Sequence, residues 1–265
     1  MKSFKEAVTN IQISSRMQIV GERICEQCDA SVPIIKTPKG KVSECLNCEN
    51  LAMQEKYERQ MDEVEKRKHE IIFNKFSIIP EDLMNASFNN YVPKHPTQAD
   101  ALKKAVWYSN NFGETEFSSL LFKGSFGVGK SHLSKAISDG VKGKGKTVIY
   151  IDIPSLIKKI RNTFGTNQTD EEIYAAIEKA DLVIFDDLGA ERVKKDESGD
   201  SWVAEVLFQM FTSRTNKHNV ITTNCTSEQL RQRYGPLMGG RIVSRMMKGT
   251  KVIPVEGEDM RLKEF

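Results

Sequence analysis

The segment Gly124-Ser125-Phe126-Gly127-Val128-Gly129-Lys130-Ser131 constrains this chain more than any other stretch. It follows the apolar run Ser118–Phe122 and leads into KSHLSKAISDG, a helix-like pattern beginning at Lys130. Every fixed position of G-x-x-x-x-G-K-[ST] is met, in the strand-before, helix-after context that the motif requires. Backbone N–H groups can converge on a phosphate chain only where side chains do not block close approach. Glycine permits that and tolerates positive φ. The following helix turns its positive N-terminal end toward the same anion. The segment is therefore expected to cradle a nucleoside triphosphate. Lys130 would reach the β- and γ-phosphates, and Ser131 would ligate Mg²⁺.

A chain with this loop needs acids at the end of a neighbouring strand. The apolar run DLVIFDD ends in Asp186 and Asp187. Asp186 is assigned to the metal through its water shell, and Asp187 to polarising an attacking water. A lone pair of aspartates after a strand is ordinarily a solvated loop; the glycine loop upstream decides otherwise. NVITTN ends another strand in Thr222, Thr223 and Asn224. Asn224 is either a water-orienting amide beside the γ-phosphate or a turn cap. Cys225 reads as an isolated thiol.

From about Thr97 onward, helical and strand patterns alternate: helix 97–112, strand 118–124, helix 129–145, strand 146–153, helices 154–164 and 169–180, strand 181–187, helix 201–217, strand 219–224, helices 226–235 and 239–249, and strand 250–257. Such alternation predicts an α/β layer with a mostly parallel sheet flanked by helices.

The N-terminal part is different in kind. Cys25-x₂-Cys28 and Cys45-x₂-Cys48 are separated by sixteen residues, which is zinc-ribbon spacing. Four thiolates satisfy a tetrahedral Zn²⁺, and a redox motif would need only one pair. Between them Pro38-Lys39-Gly40-Lys41 predicts a hairpin turn. The segment has too few apolar residues for a core, so metal would supply much of its stability. Such a module contacts either nucleic acid or protein. A charged stretch, 51–76, reads as a connecting helix whose stripe of Met53, Tyr57, Met61, Val64 and Ile71 is too thin for a sustained coiled coil. An irregular lead-in with Pro80, Pro93 and Pro96 follows. The expected division is a zinc-binding module over 1–50, the connecting helix over 51–77 and an ATPase domain over 78–265.

Composition bounds the rest. At 265 residues with 39% apolar content the chain can bury a core, and a net charge of +3 permits nucleic-acid contact without arguing for it. No apolar run has membrane-spanning length, and the N-terminus is mixed and polar, without the pattern of a signal peptide. A soluble cytoplasmic protein is expected, with reduced cysteines.

GSFGVGKSHL, VIFDDLGAE, ITTN followed by EQL, and RIVSRM together resemble the DnaC/DnaI family of bacterial and phage helicase loaders, within the AAA+ class. IIPEDLMNASFNNY resembles the same family's lead-in, and the cysteine module and DDLGAE resemble its DnaI branch. The resemblance runs from about Ile78 to the C-terminus; over the first 75 residues it rests on the zinc ribbon alone. It implies an ATP-dependent homo-oligomer that binds a hexameric replicative DNA helicase and delivers it onto single-stranded DNA. It implies an active site completed by a neighbouring subunit. By position Arg245 resembles the arginine finger, with Arg241 beside it on one helical face; without the resemblance, that helix reads as solvated and basic. Asn224 resembles the sensor-1 residue, and Arg261 a sensor-2 arginine. The second acid is Asp187, where many AAA+ proteins carry Glu. Single-stranded DNA would meet Lys158, Lys159, Arg161 and Phe164, equally readable as a solvated basic helix face. An IstB-type transposition ATPase, acting on a transposase and duplex DNA, shares the core motifs, and the zinc ribbon argues against it. A zinc-dependent nucleic-acid regulator whose ATP site switches without turnover is a third reading.

Overall fold

The computed structural model describes residues 18–163, 171–195 and 201–261. The chain divides into two compact units, Met1–Glu65 and Lys66–Phe265.

In the first unit, β1 (Gln18–Ile24) pairs antiparallel with β2 (Ser31–Thr37), which pairs with β3 (Gly40–Val42). Thr37 faces Gly40 across the two-residue turn Pro38–Lys39, as expected of that sequence. β1 has no counterpart in the sequence reading, because its register is set only by pairing with β2. The buried apolar cluster here is Cys25, Val32 and Cys45, which is far too little to order a sheet. Helix α1 (Leu46–Phe76) starts at the second cysteine pair, earlier than expected, because Glu49 N donates to Cys45 O at 3.0 Å and winds the first turn around Cys48. Among its residues only Phe73 is buried, and the stripe Met53, Tyr57, Met61, Val64 and Ile71 is exposed.

The second unit continues through short 3₁₀ turns at Glu81–Leu83 and Phe88–Asn90. Then come α2 (Pro96–Asn110), β4 (Ser119–Lys123), α3 (Lys130–Lys142), β5 (Val148–Asp152), α4 (Ile153–Thr163) and α5 (Glu171–Lys179). The chain goes on through β6 (Leu182–Leu188), α6 (Trp202–Ser213), β7 (His218–Thr223), α7 (Ser227–Tyr234), α8 (Pro236–Met247) and β8 (Thr250–Pro254). The sheet runs β5-β6-β7-β4-β8, and every pair in it is parallel.

The strands read as unbroken apolar runs because both faces are covered. Alternate residues serve opposite sides. Leu121, Ile149, Ile151, Val183, Phe185 and Ile221 pack with residues of α4, α6 and α8. Leu120, Phe122, Val148, Tyr150, Ile184 and Val220 pack with α2 and α3. Each such side chain contributes about 1.5–3 kcal/mol on burial. The outer edge of β5 is closed by the lead-in: Ile78 N donates to Tyr150 O at 2.7 Å, and Asp152 N donates to Ile78 O at 3.0 Å. Among the described residues no helix is long and apolar enough to cross a membrane.

The strand order matters for function. β7 lies between β4 and β6, so the strand carrying the glycine loop does not touch the strand carrying the two acids. The end of β7 therefore stands between the two motifs.

Candidate nucleotide site and cysteine cluster

β4 delivers the glycine loop, and positive φ at Gly127 (68°) and Gly129 (91°) turns it into α3. These glycines serve packing as well as conformation. A Cβ at Gly129 would lie 2.5 Å from the Tyr91 ring, and one at Gly124 would lie 1.8 Å from Val255 O. Tyr91 also donates to Val128 O at 3.2 Å, which ties the lead-in to the loop. Phe126, at the loop tip, is exposed.

Lys130 is buried, and its Nζ donates to Gly124 O (3.1 Å), Ser125 O (2.5 Å) and Asn224 Oδ1 (2.6 Å). Burial brings its amine down to about 8, against the pull of Asp187 and Asp186. Asn224 Nδ2 reaches Asp187 Oδ1 at 3.4 Å, so this one amide links lysine and acid.

Asp186 is buried and hydrogen-bonded throughout. It accepts from Tyr150 OH (2.7 Å) and from Thr222 OH (2.6 Å). Burial raises its pKa in spite of these donors. Asp187 has φ 61°, an uncommon conformation for a non-glycine residue that costs about 1 kcal/mol or more. Burial first, and then the charge of Asp152, raise its pKa.

Lys130, Ser131, Asp186, Asp187 and Asn224 line one cavity of about 470 Å³, together with Gly127, Gly129 and Phe126 of the loop. Arg261 lines it too; its Nη2 and Nε pair with both Asp259 oxygens at 3.0 and 3.1 Å. Asp259 rests on the loop: a Cβ at Gly127 would lie 1.6 Å from its Oδ1. Arg241 and Arg245 are exposed on α8 and do not line the cavity. Lys158, Lys159 and Arg161 form the exposed face of α4, with Arg161 5.9 Å over the Trp202 ring. Phe164 lies outside the described residues.

Several participants escaped the sequence reading. Asp152 lines the cavity because it ends β5 in register with Asp186; the end of the KTVIYID strand was a usable signal for it. Tyr150 sits inside an apolar strand with no local mark of a role, and Thr222 stands in the polar strand end already noted, with no role assigned to it there. Glu191 is buried; it accepts from Tyr234 OH at 2.6 Å and from Gly189 N at 3.0 Å, which fastens the loop after β6 to α7.

In the first unit the sulfurs of Cys25, Cys28, Cys45 and Cys48 lie within 4.8 Å of one another. Cys25–Cys48 is 3.6 Å and Cys28–Cys45 is 3.5 Å, too long for a disulfide. Tetrahedral zinc with Zn–S bonds of about 2.3 Å spaces its sulfurs by roughly 3.8 Å. Amides of Gln27 and Cys28 aimed at Cys25 bring its thiol down to about 6, while hydrogen bonds with Cys28 and Cys25 push Cys48 up to about 12. Four sulfurs this close become thiolates together only around a cation, so the donor set fits Zn²⁺.

The model of the family described as IstB-like ATP binding protein matches residues 36–265. The match begins after the first cysteine pair, so the zinc assignment rests on the cysteine spacing and the sulfur geometry. The replicative helicase loader DnaC of Escherichia coli (strain K12) is 29% identical over 181 residues, covering 68% of this chain and 70% of that protein. Among solved structures, the DnaC helicase loader crystal structure superposes with a TM-score of 0.56 at 26% identity, covering 67% of this chain and 100% of that one. The crystal structure of DnaI has a TM-score of 0.58 at 22% identity, covering 68% and 96% of the two chains, which speaks for the shared fold. With the glycine loop, the strand order and the matched span in agreement, this chain belongs to the family of IstB-like ATP-binding proteins.

Proposed function

We propose that this protein is a cytoplasmic ATPase that binds a hexameric replicative DNA helicase and delivers it onto single-stranded DNA. The observation that carries the reading is where the arginines stand. The cavity gathers Lys130, Asp186, Asp187 and Asn224 on one chain, while Arg245 and Arg241 are exposed on α8 outside it. Such a site is half of an interface: Arg245 of one subunit would enter the cavity of the next, and ATP would bridge them in a homo-oligomer.

The glycine loop and the N-terminus of α3 would hold the phosphates, with Lys130 turning from the loop carbonyls and Asn224 toward them. Ser131 and Asp186 would hold Mg²⁺, whose role is to neutralise charge on the β- and γ-phosphates. Asp187 would take the proton of the attacking water, which Asn224 orients. Arg245, and Arg261 from within the chain, would stabilise charge on the transferred phosphoryl group.

The helicase partner comes from the relatives named replicative helicase loader DnaC. The zinc module would grip the helicase, and the basic face of α4 would meet single-stranded DNA. The family's description names ATP binding only, which a transposition ATPase shares; the loader relatives favour the helicase. The test is capture of purified replicative helicase by this protein in ATP, together with steady-state phosphate release with and without single-stranded DNA. Capture with turnover supports the loader reading. Capture of a transposase instead of the helicase overturns it, and nucleotide binding without turnover leaves a switch.

A further inference from the structure

β6 and β7 pair in regular register from Leu182 opposite His218 to Phe185 opposite Ile221, and pairing resumes at Leu188 opposite Thr223. Between those points Asp186 and Asp187 together face one residue, Thr222. This is a two-against-one bulge, a device that re-aims a side chain. It sits on the pair of acids at the cavity and throws Asp187 to φ 61°.

Thr222 is buried, and its hydroxyl is used in both directions. It accepts from Asp187 N at 2.8 Å and donates to Asp186 Oδ1 at 2.6 Å. Two residues on, Asn224 reaches Lys130 and Asp187. The two acids do not depend on Thr222 equally. Asp186 keeps Tyr150 as a donor if the Thr222 hydroxyl is removed. The strained backbone of Asp187 loses the acceptor of its amide.

We infer that Thr222 is a positioning residue for hydrolysis: its hydroxyl spans the bulge, holds Asp187 in its left-handed conformation and so aims that carboxylate into the nucleotide cavity. The inference rests on the reading above, in which Asp187 acts on the attacking water. It assigns Thr222 to turnover rather than to nucleotide affinity, since the phosphate cradle lies on β4 and α3.

The test compares Thr222→Val, which keeps the shape and deletes the hydroxyl, with Thr222→Ser, which keeps the hydroxyl. Steady-state phosphate release, affinity for a fluorescent ATP analogue and thermal unfolding are measured on the full chain. Thr222→Val is expected to lower kcat by roughly 10- to 100-fold, the rate equivalent of a lost buried hydrogen bond, with nucleotide affinity within about twofold of the parent. Thr222→Ser is expected to recover most of the rate. In an Asp187→Asn background Thr222→Val should cost no further turnover, because the carboxylate it aims is gone. Parental kcat in Thr222→Val, equal loss in Thr222→Val and Thr222→Ser, or losses that multiply in the Asp187→Asn background would each overturn the inference. If Thr222→Val unfolds, the Thr222→Ser comparison decides. A parent protein without turnover, even with helicase and single-stranded DNA, overturns the hydrolytic reading and this inference with it; a failure confined to the Thr222 variants overturns the inference alone.

Discussion

Lys130 Nζ and Asn224 Oδ1 lie 2.6 Å apart, so the lysine of the glycine loop is held by the strand-end amide of β7. Nucleotide binding would have to break this bond and hand the ammonium to phosphate oxygens. Asn224 would then be free to turn toward water and Asp187.

The same lysine makes binding pH-dependent. Its amine sits at about 8 because burial disfavours the charge, and phosphates would pull it back up. Below pH 8 the free protein already carries the charge that the phosphates need. Above pH 8 a proton must be taken up on binding, so nucleotide affinity should fall by about tenfold per pH unit until the bound-state pKa is reached. Titration of a fluorescent ATP analogue from pH 6.5 to 9.5 measures this. Lys130→Met should bind far more weakly at every pH, with the slope gone and the far-UV spectrum unchanged.

Asp187→Asn should separate binding from turnover. It removes the charge proposed to take the water proton and leaves the loop and Lys130 intact. Affinity within a few-fold of the parent and kcat reduced by on the order of 10²-fold or more are expected. Single-turnover phosphate release reads the rate, and equilibrium titration reads the affinity. Parental turnover would remove Asp187 from the mechanism.

The cysteine cluster should hold one zinc per chain on Cys25, Cys28, Cys45 and Cys48. Metal analysis counts it. Chelation should unfold the residues around β1–β3, where the buried apolar cluster has little besides cysteine, and leave the second unit folded. Limited proteolysis after chelation should cut N-terminal to α1 and spare the five-stranded sheet. A metal-free preparation whose N-terminal unit stays protected would refute the assignment.

Arg245→Ala should bind ATP nearly normally and lose hydrolysis by a factor on the order of 10³ if the arginine acts across an interface. Mixed with Lys130→Ala it should regain part of the activity, since some interfaces then pair an intact glycine loop with an intact Arg245. A mixture that co-assembles and stays inactive would place Arg245 outside the mechanism or within its own subunit.

The motifs that could be read along the chain were those whose parts lie within one turn or one strand–helix junction. Gly124–Ser131, Asp186-Asp187 and the two cysteine pairs are of this kind, because the spacing itself brings their side chains and backbone groups together. The alternation of strand and helix followed equally from local patterning, since both faces of each buried strand must be apolar. The strand order β5-β6-β7-β4-β8 is not local, and it is what places Asn224 between Lys130 and Asp187, residues that are 94 and 37 positions away from it. The same order sets Thr222 across the bulge from both acids and brings Tyr150 to Asp186 from β5. Along the chain Tyr150 looks like an ordinary buried strand residue, and Thr222 like one member of a polar strand end. Their hydroxyls acquire partners only when strands far apart in sequence pack side by side, where a buried polar group must find a hydrogen bond or cost the fold the price of its desolvation.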